Sequence, residues 1–164
     1  MDWRDVATRP CPVSSALDVF GDRWSMLVIR DVMNGVRRFD DLVERLAISR
    51  ATLTDRLRRL TSAGILVPTA YHDSRGRRRD EYRLTAKGWD LQFVFIALRE
   101  WGDRNVIGAG HEPLRLVDGR SGRDVRLAVV DAGSGAEVDR RSVVNVPGPG
   151  FRTRDGDASP RATR

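Results

Sequence analysis

Residues 46–66 read LAISRATLTDRLRRLTSAGIL, and their periodicity decides the fold. Leu53, Leu57 and Leu60 recur at helical spacing and fall on one face when each residue advances about 100°. Ser49 is the expected N-cap, and Ala63-Gly64 closes the helix. Ala51, Asp55, Arg58 and Ser62 lie on the opposite face, flanked by Thr52 and Arg59. Leucines inside with hydroxyls and guanidinium groups outside describe either a solvated helix or a surface that reads base edges in a major groove.

Upstream, Phe39, Leu42, Val43 and Leu46 form another apolar stripe, joined to the first by the tight connector Ile48-Ser49. Before it, Leu17 and Phe20 end at Gly21, while Trp24, Leu27, Val28 and Val32 make a helix that Asn34-Gly35 stops. Downstream the period changes to that of strands. Ile65-Leu66-Val67 and Tyr71 read as one strand, Asp73-Ser74-Arg75-Gly76 as a turn, and residues 80–84 as the returning strand. Three helices, a polar-faced helix and a hairpin in that order are the parts of a winged helix-turn-helix, an α+β fold. That order weighs against a merely solvated face.

The hairpin tip carries Arg75-Gly76-Arg77-Arg78-Arg79, and like charges this close repel unless a polyanion neutralises them. They suit phosphates or an adjacent minor groove. At the other element, Ser49 and Arg50 stand where unpaired N–H groups favour a phosphate, and Ala51 is small enough for close approach or a thymine methyl. The candidate DNA contacts are Arg38, Ser49, Arg50, Ala51, Thr52, Thr54, Asp55, Arg58, Arg59, Arg75, Arg77, Arg78 and Arg79.

Thr85 can cap a long helix running from Ala86 to about Val106. Leu91, Val94, Phe95, Leu98 and Trp101 form one stripe, and Phe93, Ile96 and Ala97 make other sides apolar as well. Such a helix must bury more than one side. The stripe is therefore the expected dimer interface, a two-fold partner placing two reading helices about one DNA turn apart. The alternative cover is the segment that follows.

Residues 1–13 read as an arm ending in Pro10-Cys11-Pro12, and 14–107 as the winged domain with its dimerisation helix. Apolar runs at 114–117, 125–130 and 143–146 suggest a small β-rich appendage over 108–147, with no internal repeat. Gly, Pro, Arg and Asp dominate 148–164, which is expected to be disordered. The 164 residues carry a formal net charge of +6, but Lys87 is the only lysine, so the arginine excess reflects composition as much as partners. Placement of the arginines matters more than their sum.

No stretch approaches a membrane span and no signal peptide is evident, so a cytoplasmic, nucleoid-associated protein is expected. The single cysteine excludes an intrachain disulfide, and with His72 and His111 it supports no metal cluster. His111 reads as a turn residue, and Trp24, Phe93, Phe95 and Trp101 as core rather than a ligand pocket. No nucleophile–base pair or phosphate-cradling loop supports an enzyme, and no cofactor is expected.

Taken in order, several segments resemble the HxlR-type family of winged-helix regulators. They are Cys11-Pro12, Gly21-Asp22-Arg23-Trp24 with Leu27 to Ile29, Gly35-Val36-Arg37-Arg38-Phe39-Asp40-Asp41-Leu42, and Ile48-Ser49-Arg50-Ala51-Thr52-Leu53-Thr54. Arg56-Leu57-Arg58-Arg59-Leu60, Gly64-Ile65-Leu66, Glu81-Tyr82-Arg83-Leu84-Thr85-Ala86-Lys87-Gly88 and Trp101 complete the set, over about residues 11–105. The resemblance implies a bacterial homodimer that binds double-stranded operator DNA, most simply a sequence-specific repressor. It also implies a small-molecule or electrophile effector in some members, with Cys11 the candidate redox sensor. Two features depart from the family pattern: the wing has Ser74-Arg75-Gly76 where proline is usual, and only some members extend past residue 108.

Cys11 has two readings. Arg9 and the following helix would favour a reactive thiolate, whereas a small buried residue pinning the arm is the simpler role and carries more weight. The rival to DNA binding is a winged helix used as a protein-interaction module.

Overall fold

Leu53, Leu57 and Leu60 are sealed from solvent on the inner face of a helix spanning Arg50–Ser62, as their spacing requires. This computed structural model describes residues 11–154 together with Asp2, Arg4, Val6 and Ala7. The chain divides into two compact units, Val19–Leu127 and the combination of Met1–Asp18 with Ala128–Arg164.

The helices before the hairpin are α1 (Pro12–Phe20), α2 (Arg23–Met33), α3 (Phe39–Leu46) and α4 (Arg50–Ser62). Helix α1 begins two residues before the expected Ser14 because proline's fixed φ suits a first helical position. Val28, Ile29, Val32, Leu42, Leu46 and Ile48 meet the three leucines of α4 in one core, completed by Ile65 and Leu66. Truncating any of the three leucines to alanine would cost about 2–5 kcal/mol.

Strands β1 (Leu66–His72) and β2 (Arg78–Leu84) pair antiparallel with Leu66 opposite Leu84 and His72 opposite Arg78. The returning strand starts earlier than the expected residue 80, so Arg78 and Arg79 sit in the ladder rather than at the tip. Arg38 adds an isolated bridge to Glu81, and the Tyr82 N–H donates to the Arg37 carbonyl at 2.8 Å.

The long helix expected over 86–106 is divided. A short α5 (Ala86–Trp89), capped by the Thr85 hydroxyl accepting from the Gly88 N–H, is followed by α6 (Gln92–Gly102) and a π-helical turn at Asp103–Ile107. The Leu91 N–H reaches back to the Gly88 carbonyl, three residues away, which tightens the chain at the junction. Gly88 is fixed there because a Cβ would lie 2.4 Å from the Ile65 carbonyl oxygen. Thr85 Oγ1 donates to the Gly64 carbonyl at 2.6 Å and Lys87 Nζ to the Ala63 carbonyl at 2.7 Å. These two side chains satisfy carbonyls that the end of α4 leaves unpaired, and the ammonium faces the negative end of its dipole.

Within 108–147 the described residues form no extended strand. Isolated bridges join Val117 to Asp124 and Val130 to Glu137, each closing a turn. Both turns repeat the pattern D-x-x-S-G: Asp118 accepts from the Ser121 N–H and hydroxyl, and Asp131 does the same for Ser134. Gly122 and Gly135 follow at positive φ, so the two turns are a short internal repeat. The ladders do not extend because their apolar side chains, Val129, Val130, Val143 and Val144 among them, stay exposed instead of covering a core. Of the tail expected to be disordered, residues 148–154 are described, and Val6 bridges to Thr153 while the Ala7 N–H donates to the Arg152 carbonyl. Residues 155–164 lie outside the described residues. Among the described residues, no helix is long and apolar enough to cross a membrane, and no cluster of three or more His, Cys, Asp or Glu could hold a metal.

Candidate nucleic-acid interface

The link from α3 to α4 turns on Ala47, a non-glycine residue in the left-handed region at φ 48° and ψ 41°. Ile48 is buried immediately afterwards, and Ser49 then caps α4 by accepting the Thr52 N–H at 3.1 Å. Its hydroxyl also lies 2.8 Å from that of Thr52. The capping hydroxyls are thus occupied, while Arg50, Ala51, Thr54, Arg58 and Arg59 are exposed. Thr54 donates its hydroxyl to the Arg50 carbonyl, and Asp55 is half-buried.

Three of the four arginines along α4, Arg50, Arg56 and Arg58, are matched to an acid. Arg50 lies 2.8 Å from Asp40 and 4.7 Å over the Phe39 ring, both on α3. Arg58 donates to Asp55 at 2.6 Å, and Arg56 donates to the second oxygen of Asp55. The buried Nε of Arg56 is 3.0 Å from Asp22, a charge contact rather than an aligned hydrogen bond. Asp22 in turn caps α2, accepting the Trp24 and Ser25 N–H groups and the Ser25 hydroxyl. Burial pushes the Asp22 carboxyl up, but the Ser25 hydrogen bonds and the charges of Arg56 and Arg59 together hold it below the usual carboxylate range. A second acid, Asp31, is 1% exposed and accepts from Arg30 and Arg45, tying α2 to α3.

In the wing, Asp73 organises the turn. Its Oδ1 accepts the N–H groups of Arg75 and Arg77, both at 2.9 Å, and Gly76 supplies φ 72°. The Nε atoms of Arg77 and Arg79 each lie 3.5 Å from its Oδ2. The Arg77 N–H foremost, then the Arg75 N–H and both guanidinium groups, keep this carboxyl below its ordinary value. Arg75 and Arg78 are exposed and have no ion pair among the described residues. Arg38 joins the base of the hairpin, its guanidinium 4.6 Å over the Tyr71 ring.

The expected dimer stripe is split by the fold. Leu91 and Phe95 pack against the core of their own unit, whereas Val94, Leu98 and Trp101 are exposed along with Phe93. Cys11 is half-buried, and its carbonyl accepts the Ser15 N–H at the start of α1. Arg9, invoked for its reactivity, lies outside the described residues. His111 sits in a turn with Nδ1 3.3 Å from the Ala109 carbonyl. Sequence reasoning missed Asp22, Asp40 and Asp73; the only signal for them was an acid at the start of a helix or turn.

A family model described as HxlR-like helix-turn-helix matches residues 19–108. The uncharacterized HTH-type transcriptional regulator Rv3095 of Mycobacterium tuberculosis is 36% identical over 142 residues, spanning 87% of this chain and 89% of that one. YodB of Bacillus subtilis, an HTH-type transcriptional regulator, is 33% identical over 57% of this chain and 84% of its own length. Among solved structures, PA1607, described as a candidate transcription factor, matches with a TM-score of 0.72 at 36% identity, over 85% of this chain and 96% of its own. The redox regulator HypR in its reduced form matches with a TM-score of 0.51 at 31% identity, over 56% of this chain and 90% of its own. The likeness to Rv3095 and PA1607 extends beyond the span of the family model.

Proposed function

The chain belongs to the HxlR-like helix-turn-helix family, and on that premise we propose that it is a sequence-specific DNA-binding transcriptional repressor acting as a homodimer. In this reading α4 enters the major groove, and Arg75, Arg77, Arg78 and Arg79 of the wing contact phosphates or the neighbouring minor groove. One observation carries it: α4 buries Leu53, Leu57 and Leu60 while Ala51 and Arg58 are exposed on its other side, with Arg50 and Thr54 exposed beside them. That division gives a rigid inner face and an outer face of donors and small residues, as base reading needs.

The homodimer rests on α6. Phe93 is 67% and Trp101 61% exposed, and Val94 and Leu98 extend the same uncovered apolar surface. A second copy covering this helix would bury it and space two α4 helices for a pseudo-palindrome. An electrophile or oxidant input at Cys11 is the narrower part of the reading, supported by the description of HypR as a redox regulator. DNA affinity that is indifferent to diamide removes that part alone.

The test is a salt-dependent gel shift on duplexes selected from a random pool. Selective binding by the wild type that weakens when Arg77, Arg78 and Arg79 are changed to glutamine supports the reading. Affinity untouched by those changes and by Arg58→Ala contradicts it.

A further inference from the structure

Four of the arginines assigned to DNA are restrained by neighbouring acids. Arg50 is held by Asp40 at 2.8 Å, Arg58 by Asp55 at 2.6 Å, and Arg77 and Arg79 approach Asp73 at 3.5 Å. Solvent-screened pairs of this kind add little to stability, so holding the fold together does not account for four of them at one proposed interface. A guanidinium has five N–H donors, and one carboxylate leaves several for a second acceptor. Arg50 is further fixed by its guanidinium lying over the Phe39 ring.

Resting on the reading that α4 and the wing bind DNA, we propose that Asp40 and Asp73 are specificity-determining residues that restrain Arg50 and, in the wing, Arg77 and Arg79. Binding to arbitrary duplex depends on phosphate neutralisation and counterion release, in many shifting poses. A guanidinium tethered to a carboxylate follows those poses poorly, and the carboxylate cancels part of the attraction. On a cognate site the base contacts fix one pose, and a restrained arginine loses little there. The acids therefore lower affinity for arbitrary DNA more than for the cognate sequence.

The geometry makes the two acids separable from the fold. Asp73→Asn keeps an oxygen for the Arg75 and Arg77 amides while removing the charge that faces Arg77 and Arg79. Asp40→Asn removes the partner of Arg50, and Asp41→Asn is the control: it lies in the same first turn of α3, is exposed, and has no ion pair among the described residues.

The experiment is a fluorescence-anisotropy titration of the full chain at several salt concentrations. The probes are a duplex that the wild type selects from a random pool and a scrambled duplex of equal length. Asp40→Asn and Asp73→Asn are expected to tighten scrambled binding about two- to fivefold with a smaller gain on the selected duplex. Asp41→Asn should leave their ratio unchanged. Should Asp40→Asn fail to fold, Asp40→Ser makes the same comparison. An unchanged ratio in both test variants, or an equal fall in Asp41→Asn, overturns the inference while leaving DNA recognition intact. A wild type that does not distinguish the two duplexes overturns both.

Discussion

Asp22 caps α2 and stands 3.0 Å from Arg56 Nε, so one carboxylate fixes both the start of α2 and the middle of α4. The helix proposed to read DNA is thereby tied to the start of α2 by an acid outside α4 itself. Asp22→Ala removes the cap and leaves the buried Nε of Arg56 without its facing charge, and the expected loss is about 1–2 kcal/mol or more. Asp22→Asn retains a capping oxygen and should recover part of it. The folded carboxyl is lowered, so its contribution is complete above the unfolded value near pH 4 and fades as pH falls through the folded value. Urea denaturation between pH 3 and pH 7 should show this acid loss, and the asparagine variant a shallower one.

Ala47 makes the turn in the left-handed region without being glycine. An L side chain there costs about 1–2 kcal/mol, partly offset by the lower unfolded entropy of alanine relative to glycine. Ala47→Gly should be neutral to about 1 kcal/mol stabilising, and Ala47→Val destabilising by about 1 kcal/mol or more. Thermal unfolding of the pair checks the ordering.

Gly88 allows the hairpin exit to pass over Ile65. An added methyl meets the Ile65 carbonyl oxygen at 2.4 Å and Leu84 at 2.8 Å, and the first of these is backbone. Gly88→Ala should cost about 1–3 kcal/mol despite alanine's better helix propensity. A stability equal to or above wild type would show that the junction relaxes freely.

The uncovered side of α6 yields a mass prediction. Trp101→Asp should shift a homodimer to monomer in analytical ultracentrifugation, because a charge would have to enter the apolar contact. A wild type that sediments as a monomer, or a variant that remains dimeric, assigns this surface to something else.

The core of the winged unit was legible because it is local. The Leu53, Leu57 and Leu60 spacing, the Ser49 cap and the Asn34-Gly35 stop each announce themselves within a few residues, and the structure has all three. The acid partners were not legible, since Asp40 finds Arg50 across two helices and Asp22 finds Arg56 across the core. The break at Asp90–Leu91 follows Gly88, whose close approach to Ile65 is a tertiary contact that the local pattern of apolar residues does not reveal. The valine runs beyond residue 108 imitate strands, but alternation specifies a ladder only when a partner strand or a core covers it.

Base reading by α4 is tested most directly through Arg58. Affinities of wild type and Arg58→Ala would be compared on the selected duplex and on a set carrying each single base-pair change. The variant should lose about 1–3 kcal/mol on the selected duplex and become indifferent to base identity at one position, keeping its discrimination elsewhere. A loss spread evenly over all positions would make Arg58 a phosphate contact, and no loss at all would contradict the placement of α4 in the groove.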